Sequence, residues 1–233
     1  MRIRIPVRRT YHGLIDGFRL KYLGIRPDPR EYSTIVGAWS MVPCQYEAYF
    51  LCMNKYIEKK DKVLDVGFGL GYGLNIMSIK AKEVYGIDVD KKVLDFSAEN
   101  VLKKNPKVKD LSLYDGYHID YPDNYFDVVS TVDVLEHVEE YDIFLKELLR
   151  ISKRGVFIST PNRREEFTNR DGSPKNKWHI REWSYRELNN ILRKHGEVEW
   201  NFINGRYKGP FKISSKVVSS TLALSPFLYK KKK

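Results

Sequence analysis

The chain reads as an α/β protein: an open, doubly wound, mostly parallel sheet with a helical N-terminal extension. Three observations predict it. Short buried-strand runs alternate with helix-spaced segments from about residue 60 to 205. A glycine-rich turn, VLDVGFGLG, joins the first of these strands to the next helix. Acidic residues recur where successive strands end, the edge at which such sheets bind ligands. Parallel strands need crossovers, and right-handed crossovers put helices on both faces of the sheet.

The elements follow in order. Gln45 to Lys60 places Tyr46, Tyr49, Phe50, Met53 and Ile57 at helical spacing and leads into the strand Val63 to Gly67. A helix from about Tyr72 to Lys80, a strand Val84 to Asp88 and a helix over Lys91 to Lys104 continue the alternation. Strands at Leu111 to Asp115 and Phe126 to Asp133 come next. The helix Tyr141 to Ile151 then carries Phe144, Leu145, Leu148 and Leu149 on one stripe, ahead of a strand at Gly155 to Thr160. Residues 162 to 183 form a long polar connection on the ligand side, where such loops are functional. Ser184 and Glu187 make a capping-box pattern for a helix reaching Lys194, and Glu197 to Ile203 reads as a further strand. The chain divides into an extension or lid at 1–43, a domain at 44–205 and a basic tail at 206–233.

Hydrophobic residues at 42% of 233 can close a sizeable core, which excludes a wholly disordered chain. No apolar run reaches membrane-spanning length and no signal-peptide run follows the basic start, so a cytoplasmic protein is expected. Cys44 and Cys52 are too few for a disulfide framework or a structural zinc site. The net charge of +11 lies in the arms. Residues 1–15 hold four Arg and residues 201–233 hold eight Lys or Arg, neither with an acid. Basic arms suit RNA, phosphorylated metabolites or acidic lipid, and they equally suit simple solubilisation.

Gly67, Gly69 and Gly71 permit positive φ and close approach of backbone to a ligand at a helix start. The spacing is G-x-G-x-G rather than the dinucleotide G-x-G-x-x-G, and Asp65 stands two residues before the first glycine, which suits a cationic ligand better than a pyrophosphate. Asp88, at the end of the next strand, is placed to accept both hydroxyls of a ribose, and Asp115, followed by Gly116, ends the third strand. An adenosine carrying a positively charged amino-acid tail fits these three acids. A nucleoside triphosphate, with no P-loop to hold it, does not.

On VLDVGFGLG, GIDVD, DNYFDVVSTVDVLEHV and STPN followed by HIREW, residues 45–200 resemble class I S-adenosylmethionine-dependent methyltransferases, in particular the small-molecule branch with ubiquinone-biosynthesis O-methyltransferases and sugar or polyketide methyltransferases. The resemblance implies a Rossmann-like methyltransferase fold and S-adenosylmethionine as cofactor. By position, Asp65 and the glycine loop, Phe68 included, would hold the methionine end, Asp88 the ribose with Val89 beside the adenine, Asp115 and Gly116 the adenine amino edge, and Asp133 would flank the cofactor.

Methyl transfer from a sulfonium is a direct displacement, so alignment and exclusion of water matter most, and a hydroxyl acceptor also needs a base. His137 in DVLEHV is the first candidate and His179 the second for a catalytic or positioning role. Trp178, Arg181 and Trp183 of WHIREW offer aromatic walls and a cation for gripping an acceptor. Ubiquinone-type relatives place a divalent metal on E-x-x-E-H, where this chain has Asp133, Glu136 and His137. The shorter aspartate, and relatives with LEHV and no metal, give an expectation of none. Val217, Val218, Leu222, Leu224 and Leu228 could line a short helix which, with Lys230 to Lys233, would rest on an acidic membrane surface. The reading is therefore a methyltransferase for an oxygen of a small-molecule, sugar or lipid-linked acceptor. An RNA methyltransferase and a non-catalytic cofactor-binding scaffold are the alternatives.

Overall fold

The computed structural model describes residues 42–205 and 211–231. The proposed extension or lid thus lies almost wholly outside the described residues. Helix α1 (Val42–Tyr56) leads into β1 (Lys62–Val66), α2 (Tyr72–Ser78), β2 (Glu83–Asp88), α3 (Lys91–Ser97) and β3 (Val108–Leu113). β4 (Phe126–Val132), α4 (Tyr141–Ile151), β5 (Ser152–Pro161) and α5 (Tyr185–His195) complete the alternation. Five short strands follow: β6 (Glu197–Glu199), β7 (Phe202–Gly205), β8 (Phe211–Ser214), β9 (Thr221–Leu224) and β10 (Phe227–Tyr229).

Strands β3, β2, β1, β4 and β5 lie side by side in that order and are all parallel. The order reverses at β1, so the crevice above β1 and β4 is where this topology opens a ligand site. Period-2 alternation sends Val63, Val128 and Phe157 into one core and Leu64, Val129 and Val156 into the other. Helices α1, α2 and α3 cover the first face. On the second, α4 buries Phe144, Leu145, Leu148 and Ile151 completely, and α5 buries Leu188 and Leu192. The expected capping box is present, with Glu187 N–H donating to the Ser184 side chain and Ser184 N–H to the Glu187 carboxylate.

Several elements differ from the sequence reading: the strand expected over Glu197 to Ile203 is split into β6 and β7, and β3 ends at Leu113, two residues before Asp115. The helix expected over Lys91 to Lys104 is α-helical only to Ser97 and continues as a π-turn over Ala98–Leu102. The stretch set apart as a basic tail, with an apolar-sided helix, is instead part of the sheet. β9 and β10 run antiparallel to β5 in one register, Thr160 facing Leu224 and Phe157 facing Phe227, with Pro226 at the break. On their other side they pair β7 and β6. Leu222, Leu224 and Leu228 are buried there, leaving Val217 and Val218 exposed. The physical reason is that Pro226 cannot sit inside a helix but is tolerated at a strand interruption. Lys230 is also engaged, its Nζ donating to Asn124 Oδ1, Arg150 O and Ser152 O at the end of the sheet away from the glycine loop. No described helix is long and apolar enough to cross a membrane.

Candidate active site

The turn after β1 forms because Gly67 and Gly69 take φ of +74° and +53°, a region costly for residues with a Cβ. A Cβ on Gly67 would meet Val134 Cγ2 at 2.4 Å, whereas one on Gly69 would meet nothing within 4 Å. The open space beside Gly69 is a cradle for a ligand, part of a cleft of about 760 Å³. Asp88 closes the loop from β2, its Oδ2 accepting Gly69 N–H at 3.0 Å and its Oδ1 accepting Asp90 N–H at 3.0 Å. Burial raises its pKa above the ordinary carboxylate value, opposed by these backbone bonds.

Of the residues expected to hold the cofactor, Gly67, Phe68, Gly69, Asp88, Val89, Asp115, Gly116 and Asp133 line the cleft. Asp115 is held by Tyr117 N–H at 2.8 Å and His118 N–H at 2.7 Å on its Oδ1, and these bonds lower its pKa. Phe68 is only 1% exposed, its ring packed beside Gly86. Asp133 has φ +54°, a left-handed conformation that aspartate tolerates better than most residues, and its Oδ2 accepts a bond from Gln45 Nε2 at 3.0 Å. Asp65 and Gly71 are not on the wall. Asp65 is fully buried below the loop, accepting from Ser130 Oγ at 2.6 Å, because its position in β1 points it into the core under α1 and α2. Gly71 stands behind the loop as the residue before α2.

Burial pushes the Asp65 carboxyl up to about 7, opposed by bonds from Ser130 and Tyr49, and that of Asp133 up to about 6. Folding therefore favours their protonated forms. That contribution to stability is full below about pH 4, the unfolded value, and is lost as pH rises through the folded values. The ligand-free protein is expected to melt at lower temperature at pH 8 than at pH 5, and Asp65→Asn to flatten that slope. Equal slopes in scanning calorimetry would contradict the placement of Asp65.

The acceptor side is built from the turn Leu135–His137 and the loop after β5. His137 Nδ1 lies 2.8 Å from the carbonyl oxygen of Trp178. A carbonyl only accepts, so Nδ1 carries the hydrogen and Nε2 keeps a free lone pair. Burial lowers the His137 pKa, which favours the neutral ring. Ile180 N–H, at 2.9 Å, ties the loop back to Glu136 O.

His179 stands edge-on to His137, with ring centres 4.9 Å apart. Its Nδ1 is 2.6 Å from Glu182 Oε1 and its Nε2 is 2.8 Å from Asn176 Nδ2. Asn176 Oδ1 accepts Trp178 N–H at 3.1 Å, which leaves the amide NH₂ to donate to Nε2. Both nitrogens of His179 are thus hydrogen-bonded within the protein, to Glu182 and to Asn176. Trp178 is 58% exposed at the mouth. Arg181 and Trp183 are not among the lining residues. Arg181 donates to Glu139 O at 3.0 Å and lies over the Tyr141 ring, and Trp183 is 5% exposed in the core, edge-on to Tyr141.

Glu136, His137 and His179 bring ligand atoms within 4.8 Å of one another. One carboxylate and two imidazoles are donors that a divalent metal such as zinc accepts, with Glu182 orienting the His179 ring. Gln45 and Tyr49 of α1, Tyr72, Glu136 and Asn176 line the cleft without having been expected to. Tyr72 Oη donates to Gln45 Oε1, so a chain of bonds links α2, α1 and Asp133. The aromatic spacing of α1 reads as core, and nothing in it separates Gln45 from an ordinary helix-start residue.

The protein-family description "Methyltransferase domain" matches residues 64–159. A probable S-adenosylmethionine-dependent methyltransferase of Mycolicibacterium smegmatis is 35% identical over 140 residues, covering 59% of this chain and 52% of that protein. A ubiquinone/menaquinone biosynthesis C-methyltransferase, UbiE, of Neisseria meningitidis is 31% identical over 110 residues, covering 46% of this chain and 44% of its own. The chain spans about half the length of these curated relatives. A crystal structure of an S-adenosylmethionine-dependent methyltransferase from Aquifex aeolicus has the same fold, with a TM-score of 0.58 and 21% identity over 87% of this chain and 100% of that one. The cleft suits the cofactor of this family. It has the open cradle at Gly69, an acid at the end of β2 and five lining carboxyl residues, Asp88, Asp90, Asp115, Asp133 and Glu136, with no Lys or Arg among the described lining residues to repel a sulfonium. Residues 64–159 match the methyltransferase-domain family, and the fold around them is the one seen in S-adenosylmethionine-dependent methyltransferases.

Proposed function

We propose that the protein is an enzyme that transfers the methyl group of S-adenosylmethionine to an oxygen of a small polar acceptor, with His137 as the base. The observation that carries this reading is the bond from His137 to the Trp178 carbonyl, which leaves Nε2 basic on the wall of the cleft. When bound, S-adenosylmethionine supplies a methyl carbon on sulfur that an in-line nucleophile displaces, the C–S bond electrons returning to sulfur. Asp88 holds the ribose, the glycine loop the methionine end, and Asp133, fixed by Gln45, flanks the reacting end. His137 Nε2 takes the acceptor proton as the new O–C bond forms. Trp178 at the mouth narrows access of water.

Carbon methylation is the second reading, favoured by the likeness to a quinone C-methyltransferase; the same base could ionise a phenol before its ring carbon attacks. The acidic lining argues against phosphate-rich acceptors, RNA included. Contact of the basic termini with nucleic acid or acidic membrane rests on their charge alone, and salt-sensitive binding to polyanions is its test. Isotope-labelled methyl transfer to hydroxylated aromatics, sugars and quinols separates the readings. An O-methyl product is expected, a C-methyl product would install the second reading, and label found only in RNA would overturn both.

A further inference from the structure

Asp65, the acid expected at the methionine end of the cofactor, lies below the glycine loop and off the wall of the cleft. Another side chain on the wall must then meet the amino-acid head. The sheet order shows where that head lies. Asp88 ends β2 and Asp115 stands beyond β3, so with the adenosine over these two strands the rest of the ligand runs the other way, over β1 and β4. Gln45 is on that side. It is half-buried and lines the cleft between Tyr72, which opens α2 behind the glycine loop, and Asp133, the residue after β4.

The amide of Gln45 is held at both ends. An ionised carboxylate only accepts, so Nε2 faces Asp133 Oδ2 at 3.0 Å, and Oε1 accepts from the Tyr72 hydroxyl. A primary amide has two hydrogens, and the second has no partner among the described residues. The nearby hydroxyl donors are spent, Tyr72 on Gln45 and Tyr49 on Asp65. The α-carboxylate is the one anion of S-adenosylmethionine, and the described lining meets it with five carboxyl residues and neither Lys nor Arg. Such a group needs a neutral donor that is already fixed in place. Asp133 beside Gln45 would repel a lone carboxylate, but the α-ammonium sits on the same carbon of the cofactor and can face Asp133.

We propose that Gln45, held by Tyr72 and Asp133, anchors the α-carboxylate of S-adenosylmethionine through its second amide hydrogen. This rests on the reading of the cleft as the site of that cofactor. It gives α1, a helix whose spacing reads as core alone, a part in ligand recognition. It also makes Gln45 a selector for the zwitterionic head: the same cofactor without its carboxylate would leave the amide hydrogen unpaired in the complex.

The test is isothermal titration of wild type and Gln45→Met with S-adenosylmethionine, with decarboxylated S-adenosylmethionine, which keeps the adenosine, sulfonium and ammonium, and with methylthioadenosine, which has no amino-acid head. Charge alone favours the decarboxylated compound, which brings one more net positive charge into an acidic cleft. Wild type is nonetheless expected to bind S-adenosylmethionine about fivefold or more tightly, the worth of a hydrogen bond to a charged group less that opposing effect. Gln45→Met, of similar shape but with no donor, should erase or reverse the preference and leave methylthioadenosine binding unchanged. Wild type that binds the two charged compounds equally, or the decarboxylated one more tightly, would overturn the proposal, and this comparison stands even if the variant does not fold. A preference that survives in Gln45→Met would give the carboxylate to the backbone amides of the glycine loop and overturn it too. Loss of methylthioadenosine binding together with the preference would reduce Gln45 to a support of the fold. No binding of any compound by wild type would remove the cofactor reading itself, whereas equal binding of the charged pair removes only the Gln45 assignment.

Discussion

Replacing His137 by Ala is expected to lower kcat about 10²–10⁴-fold while leaving the affinity for S-adenosylmethionine nearly unchanged. The ring meets the protein through Nδ1 and the Trp178 carbonyl, so its removal takes away the free Nε2 and one tie to the loop, not a wall of the adenosine site. The pH profile is a second reading of the same group. Only the neutral ring can take the proton, so the rate in wild type should fall with acidification. Because burial lowers the His137 pKa, the fall should be centred below the ordinary imidazole value of about 6.5. Steady-state kinetics with any accepted oxygen nucleophile measures both. A variant that keeps wild-type kcat would remove His137 from the chemistry and return the site to simple alignment of reactants.

The second large effect is at Asp88. Its two oxygens accept Gly69 N–H and Asp90 N–H, and each keeps capacity for one ribose hydroxyl, since an ionised carboxylate offers about four acceptor positions. Asp88→Ala removes the charged acceptor for the ribose and also frees the glycine loop. The expected loss is about 1–3 kcal/mol of binding free energy, roughly 5- to 150-fold in Kd. Asp88→Asn keeps part of the hydrogen bonding and should fall between. Calorimetry that finds the three proteins equal would mean that the ribose does not lie at the end of β2.

Much of this site is legible in the sequence because its chemistry depends on strand ends. Gly67, Gly69 and Asp88 follow short apolar runs, and period-2 burial on both faces fixes where each run must stop. What escapes is set by long-range packing. Asp65 reads as a ligand group by its distance from the glycines, but the alternation along β1 turns it into the core with Ser130. WHIREW reads as a block of substrate contacts. The loop instead shares it out, with Trp178 at the mouth, His179 clamped between Asn176 and Glu182, and Trp183 in the core. Gln45 reaches the cleft only because α1 packs on α2, a contact that no local pattern announces. The carboxy-terminal strands were hidden by short apolar runs that satisfy helical and strand spacing equally, although Pro226 between β9 and β10 speaks for strands.

Every assignment in the cleft depends on S-adenosylmethionine binding between the glycine loop and Asp88. Isothermal titration of the protein with that compound tests it most directly. A single saturable site in the micromolar range, about −8 kcal/mol, is expected. No heat of binding up to millimolar ligand would contradict it, and would leave the fold without the cofactor on which every assignment of the cleft depends.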